Sequence, residues 1–358
     1  MRYLTAGESH GKALMGILEG IPANLQIDFG FVDAELKRRQ GGYGRGGRMV
    51  IESDKADFIA GIRGGVTTGA PIGFLVHNKD YENWQDIMGA EATKTDERKL
   101  TAVRPGHADL GGCIKYNQKD ARNILERASA RETAARVVIG AVCKQYLSQL
   151  GVTISGKVLT VGGESQRENQ REKINQALST GDTLGGTLEV RAKGMPIGIG
   201  SHIASEQRLE YSIFALLAAI PAVKSVSVGN VEAYTTQFGS QTHDALYLDK
   251  SKKIVRKTNN AGGIEGGISN GEDIIITLGL KPIPSVPSGL PSVDIETKKE
   301  ARSAIERGDA CVVEAASVVA EATLAIGLAQ AMMDTIGGDY MDEVKQRVKQ
   351  KRESAKLW

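Results

Sequence analysis

Three short motifs hold the side chains best suited to chemistry. The first, Gly7-Glu8-Ser9-His10-Gly11, sets a carboxylate, a hydroxyl and an imidazole in a row between glycines. Glycine lets a backbone come close to a ligand, and His10 could give up a proton near neutral pH, as a general acid must. The same residues match the G-x-S-x-G turn of serine hydrolases, but that turn follows a central strand with other strands before it. Here only six residues precede it and no HGGG-type segment is visible, so a nucleophilic Ser9 is set aside; labelling by a fluorophosphonate would reinstate it. The second motif spans residues 37–48, with five basic residues (Lys37, Arg38, Arg39, Arg45, Arg48), five glycines and no acidic residue. Arginines on such a loop can clamp phosphate or carboxylate in a bidentate manner. Its Gly42-Tyr43-Gly44-Arg45-Gly46-Gly47 run matches G-x-G-x-x-G, yet a dinucleotide fingerprint needs a strand before it and a helix after it. The order here is the reverse. The third motif is Arg104-Pro105-Gly106-His107-Ala108-Asp109. His107 has little apolar material beside it, and Arg104 suits an anionic ligand; a structural turn fits the same residues.

Other segments read less sharply. Glu126-Arg127-Ala128-Ser129-Ala130-Arg131-Glu132 falls inside a predicted long helix and, from its residues alone, reads as a solvated face with i,i+4 ion pairs. The run from Thr258 to Gly267 has four glycines in six residues; a flexible turn and a row of main-chain N–H groups facing a ligand both fit. Lys281-Pro282-Ile283-Pro284-Ser285 is a rigid extended turn. Arg307-Gly308-Asp309 opens an apolar helix, and Asp309 suits its N-cap. His77, His202 and His243 show no triad or metal-ligand spacing and are read as structural.

These motifs need a scaffold. Strand-like segments occur at 13–19, 49–52, 72–76, 186–192 and 273–278, and helical periodicity at 33–40, 120–150, 171–178, 206–220 and 310–333. Residues 342–356 read as a charged, solvated helix. The mixed order without a βαβ rhythm predicts an α+β fold. A net charge of +2 argues against a nucleic-acid binder. Three scattered cysteines argue against a disulfide framework and suit a reducing compartment. The N-terminus has no signal-peptide pattern, and no uninterrupted apolar run is long enough to span a bilayer. A soluble cytoplasmic protein is the expectation.

Taken together and in order, Gly-Glu-Ser-His-Gly, Arg-Arg-Gln-Gly-Gly-Tyr-Gly-Arg-Gly-Gly-Arg-Met, Arg-Pro-Gly-His-Ala-Asp, Ala-Ser-Ala-Arg-Glu-Thr, Asn-Asn-Ala-Gly-Gly-Ile-Glu-Gly-Gly and Lys-Pro-Ile-Pro resemble the chorismate synthase family from Gly7 to about Met333. The resemblance implies a β-α-β sandwich with long helices between antiparallel sheets, one domain over 1–335 and a charged helical tail over 336–358. It implies a lyase of the shikimate pathway, which serves aromatic amino acid biosynthesis. This enzyme converts 5-enolpyruvylshikimate 3-phosphate to chorismate and phosphate by 1,4-elimination with reduced FMN and no net redox change. By the same resemblance His10, His107 and Asp309 are catalytic. Flavin contacts fall on Arg127, Ala128, Ser129, Ala222, Gly266, Lys281, Pro282, Ile283, Pro284, Ser285 and Arg307. Arg39 and Arg45 match positions associated with NADP and are read mainly as part of the anion-binding loop, and Ser9, Arg48, Arg104 and Arg131 face the substrate. A homotetramer is implied, with no metal, nucleic acid or membrane partner. No separate reductase domain is visible, so an external flavin reductase is expected, NADPH acting only indirectly or through self-reduction. Two residues depart from the family pattern: Pro221, where a polar residue is usual before the Ala, and Glu314, where Pro is common. The segment between Gly163 and Gly181 is also shorter than in many relatives.

Overall fold

Period-two alternation of buried and exposed side chains builds the first sheet. β1 (Arg2–Ala6) and β2 (Ala13–Glu19) form a hairpin in which Leu14, Gly16 and Leu18 point inward. Gly16 lies beneath Phe74, where a Cβ would come within 2.3 Å of the ring. After α1 (Phe29–Gln40) the chain adds β3 (Asp57–Ala60) and β4 (Ile72–His77), giving an antiparallel sheet in the order β1-β2-β4-β3. The computed structural model describes residues 1–46, 53–305 and 308–358, so the strand expected at 49–52 lies outside the described residues.

The continuous helix expected over 120–150 is instead broken. After α2 (Asp109–Tyr116), α3 (Arg122–Ala128) ends at Ser129, whose backbone is extended at φ −62°, ψ 141°. The Ser129 side chain accepts the Arg131 N–H, an alternative that competes with helix continuation. A short 3₁₀ turn follows, and α4 (Thr133–Gln149) then runs through the core.

The second antiparallel sheet comprises β5 (Thr153–Val161), β6 (Gly186–Lys193), β7 (Val223–Val228) and β8 (Ile274–Leu280), in the order β5-β6-β8-β7. Between these strands in sequence lie α5 (Arg167–Thr180), α6 (Leu209–Ala218) and two short helices, Val231–Thr236 and Gly239–Thr242. α7 (Val313–Ile336) packs along α4 and against β5 and β6, while α4 faces the first sheet. Two helices therefore lie between two sheets, the α+β sandwich that was expected.

α7 is long and apolar enough to cross a membrane by length and composition, but it is buried inside the fold. Its central Glu321 and the Glu35 carboxylate of α1 share the Lys144 ammonium of α4 at 2.5 Å each, and Arg38 bonds both carboxylates. Buried ions without partners cost several kcal/mol, so this network fixes α1, α4 and α7 relative to one another. The terminal helix α8 (Met341–Ala355) is solvated on one side only, since Met341, Val344 and Val348 are buried.

α4 and α7 approach closely at Gly140, where a Cβ would lie 2.4 Å from Ala322 Cβ and 2.5 Å from its Cα. Gly140→Ala would gain about 1 kcal/mol of helix propensity. Overpacking against backbone costs about 1–3 kcal/mol and should win. The expected outcome is a lower urea midpoint at unchanged m-value.

Candidate active site

The first motif docks on α3. Gly7 takes φ +105°, and a Cβ there would sit 2.4 Å from Ala13 O, so this turn requires glycine. The loop is clamped by Ser9 N–H on Glu126 O, by Asn78 Nδ2 on the carbonyls of Glu8 and Gly11, and by His10 N–H on Glu126 Oε2. The buried His10 ring has Nδ1 2.9 and 3.0 Å from the two Glu126 oxygens, and Arg122 donates to Glu126 at 3.0 Å. Trp84 stacks on His10 at 4.0 Å, and the guanidinium of Arg98 lies 3.9 Å over Trp84. Burial pushes the Glu126 carboxyl up, but the His10 bonds and the Arg122 charge outweigh it and hold it below its ordinary value. Ser9 is buried and its Oγ takes a hydrogen bond from Ser129, an environment unlike an exposed nucleophile elbow.

Segment 126–132 is therefore not a solvated face. The break at Ser129 turns Glu126, Arg131 and Glu132 inward, and all three are buried. Arg131 donates to Asn78 and Asp54, and Arg39 to Thr133 Oγ1 and Ala130 O with Nη1 3.8 Å from Asp54. Two guanidiniums thus share one carboxylate. Burial, then the Arg131 charge, lowers Arg39 to about 10, which leaves it cationic at neutral pH. Arg127 bonds Thr5 O, Thr5 Oγ1 and Gly7 O, and reaches no carboxylate among the described residues.

The glycine–arginine loop is held from the far end of the chain. Asp309 does not cap the late helix, whose N-cap position is Val312. Its carboxylate instead accepts Gly46 N–H at 2.5 Å and lies 3.2 Å from Arg45. Glu314 accepts the Tyr43 N–H, so this departure from the family pattern serves to hold the loop. Arg48 and Arg307 lie outside the described residues.

The third motif builds a second group. Arg104 donates to Asp109 and to Ser285 Oγ at 2.8 Å, and its Nη2 lies 3.1 Å from His107 Nδ1. His107 Nδ1 lies 2.5 Å from Asp109 Oδ1. Burial raises the Asp109 carboxyl, but the His107 and Arg104 hydrogen bonds overwhelm that effect and hold it well below the usual carboxylate range. Lys281 donates to Gly106 O, and burial together with the Lys224 charge lowers its amine. Pro221 and Ala222 occupy the centre of a type II turn closed by Val223 N–H on Ile220 O. Ala222 takes φ +72°, and its carbonyl accepts Lys281 N–H. Pro282, Ile283 and Pro284 complete this segment, with Ile283 O bonded by Thr183.

The expected site residues thus fall into two groups. Ser9, His10, Arg39, Arg45, Arg127, Ala128, Ser129, Arg131 and Asp309 belong to the first; Arg104, His107, Ala222 and residues 281–285 belong to the second. No hydrogen bond among the described residues joins the groups, and Gly266, in the turn after Ile264–Glu265, is tied to neither. Cavities of about 370 and 390 Å³ are lined by other residues, including Phe29 and Phe58 in one and Lys345 and Arg352 in the other. Glu126, Asp54, Asn78 and Trp84 escaped sequence reasoning. The i,i+4 spacing of Arg122 and Glu126 was visible, but nothing local showed that the pair would be buried.

Because Glu126 and Asp109 are held below their ordinary values of 4.5 and 3.8, the stability they contribute is fully present above those values and is lost as pH falls from them through the lower folded-state values. Wild-type urea midpoints should fall progressively from about pH 5 to about pH 2. Asp109→Asn, less stable at neutral pH, should lose less across that window.

A sequence profile of the chorismate synthase family matches residues 1–333. The chorismate synthase of Thermoanaerobacter pseudethanolicus is 50% identical over 345 residues, covering 96% of each chain. That of Aquifex aeolicus is 46% identical over 382 residues, covering 97% of this chain and 96% of its own. A crystal structure of chorismate synthase superposes with a TM-score of 0.80 at 37% identity, covering 100% of this chain and 98% of that one. With the fold, the ordered motifs and these relatives in agreement, the chain belongs to the chorismate synthase family.

Proposed function

We propose that this chain forms chorismate in the shikimate pathway, as a carbon–oxygen lyase. The reaction is 1,4-elimination of phosphate from 5-enolpyruvylshikimate 3-phosphate, with reduced FMN and no net redox change. The observation that carries this reading is the family match, which runs unbroken through all six motifs.

The donor set fits anionic ligands. Arg127 is held by neutral acceptors, Arg39 and Arg131 share Asp54, and Lys281 meets Lys224 but no carboxylate among the described residues. Arg127 and Lys281, which meet no carboxylate among the described residues, suit a phosphate-bearing flavin and a multiply anionic substrate. Arg127, Ala128, Ser129, Ala222, Gly266, Arg307 and residues 281–285 would hold the flavin. Reduced FMN would supply transient electron density for loss of the allylic phosphate and a nitrogen that takes up the C6 hydrogen, a C–H bond too weakly acidic for a side-chain base.

The chain's own residues do the rest. Ser9, Arg48, Arg104 and Arg131 orient the substrate directly or through neighbours; Arg104 and Arg131 already have donors engaged by carboxylates, so they act largely by fixing the surrounding loops. His10 gives a proton to the departing phosphate. His107 would hold a proton for the bound reduced flavin, and Asp309 would serve as the late proton acceptor. Arg39 and Arg45 shape the anion-binding loop; the burial of Arg39 favours this over contact with NADPH. Flavin reduction falls to an external reductase, in the cytoplasm. The outer face of the first sheet exposes Leu4, Met15, Ile17 and Ile59, apolar surface that supports assembly of copies into a homotetramer.

Anaerobic incubation with the enolpyruvyl substrate and dithionite-reduced FMN should raise chorismate absorbance; no rise would overturn the reading. His107→Ala should retain FMN and substrate binding while turnover falls about 10²–10⁴-fold. Arg48→Ala should lose substrate affinity by calorimetry with its fold intact. Light scattering on the purified chain should report four copies.

A further inference from the structure

The two histidines, from motifs far apart in sequence, sit in the same local arrangement. Each has Nδ1 on a buried carboxylate, Glu126 for His10 and Asp109 for His107. Each carboxylate is in turn bonded by a buried arginine, Arg122 in the first group and Arg104 in the second. Neither Nε2 has a hydrogen-bond partner among the described residues. We propose that Glu126 and Asp109 are positioning residues that fix each imidazole as its Nδ1–H tautomer and leave Nε2 as the only nitrogen through which a proton enters or leaves. This rests on the elimination reading above, within which it assigns the working atom of each acid.

An ionised carboxylate can only accept hydrogen bonds, so the nitrogen facing it must carry the proton. Both carboxyls are held below their ordinary values and are ionised at neutral pH. Arg104 Nη2 lies 3.1 Å from both His107 Nδ1 and Asp109 Oδ1. Since Nδ1 must donate to Asp109, it has no lone pair for Arg104, which therefore bonds the carboxylate.

The consequence is a one-sided acid. A protonated ring gives up its Nε2 proton and remains the Nδ1–H tautomer, with Nε2 ready to be reprotonated in place. No ring flip is needed. The arginines keep each carboxylate from taking the proton itself, and Trp84, stacked at 4.0 Å and 24°, fixes the plane of His10. An amide in place of either carboxylate can turn its NH₂ toward Nδ1. That reverses the tautomer and leaves a neutral Nε2–H with no acid to offer.

The test begins with the wild-type chain, ¹⁵N-labelled at histidine and read by NMR at a pH where both rings are neutral, with signals assigned by their loss in His10→Ala and His107→Ala. Nδ1 should appear as the protonated nitrogen and Nε2 as the bare one in both rings; the opposite pattern in either overturns the proposal for that ring. Glu126→Gln and Asp109→Asn should invert the pattern and lower kcat about 10²–10⁴-fold with KM unchanged. Glu126→Asp and Asp109→Glu should recover part of the loss. Glu126→Gln should cost nothing further in a His10→Ala background. Full kcat in folded Glu126→Gln and Asp109→Asn would sink the idea. Should either variant fail to fold, the wild-type spectrum decides alone. A wild-type chain that makes no chorismate defeats the elimination reading, while the spectrum still judges the tautomers.

Discussion

Buried carboxylates are met by arginines and lysines at the points that fix this structure, and the rest of it follows from where those ion sets fall. In the core, Lys144 holds Glu35 and Glu321 together while Arg38 spans both carboxylates. In the two site groups, Arg122 meets Glu126, Arg104 meets Asp109, and Arg131 meets Asp54. Removing one member of such a set strands a buried charge, at a cost of about 3–5 kcal/mol. Each therefore acts as a pin holding helix to helix or loop to helix. The pins lie among α1, α4 and α7 in the sandwich and around the break before α4, which aligns the layer that positions the loops.

That layer explains how distant motifs meet. The first motif leaves β1 and lands on the end of α3 because Glu126 gathers the His10 N–H, the His10 ring and Arg122 at once. The glycine–arginine loop leaves α1 and is caught by Asp309 and Glu314 at the start of α7. Glycine permits these close approaches, and carboxylates make them specific. Arg127, beside neutral oxygens and without a carboxylate among the described residues, is the cation a phosphorylated ligand would complete.

Much was legible in one dimension. Residues 13–19 and 186–192 showed strand character, and the Ala- and Val-rich run after residue 310 showed a buried helix, because apolar periodicity records the side that faces the core. The glycines, histidines and arginines of the motifs were equally plain, and their order pointed to a family before any coordinates. Residues 120–150 misled because helical periodicity persisted across Ser129, and only the folded chain shows the side-chain bond that interrupts it.

By itself, then, the sequence determined the fold class, the family and the residue types available for chemistry, since those depend on periodicity and on motifs read in order. Tertiary structure alone decided which carboxylate each histidine would face, that Asp309 would hold a loop instead of capping a helix, and that Glu126 would be buried. Those outcomes turn on burial and on partners more than a hundred residues away for His10 and Asp309, and on the packing around Asp109 for His107, none of which leaves a local trace.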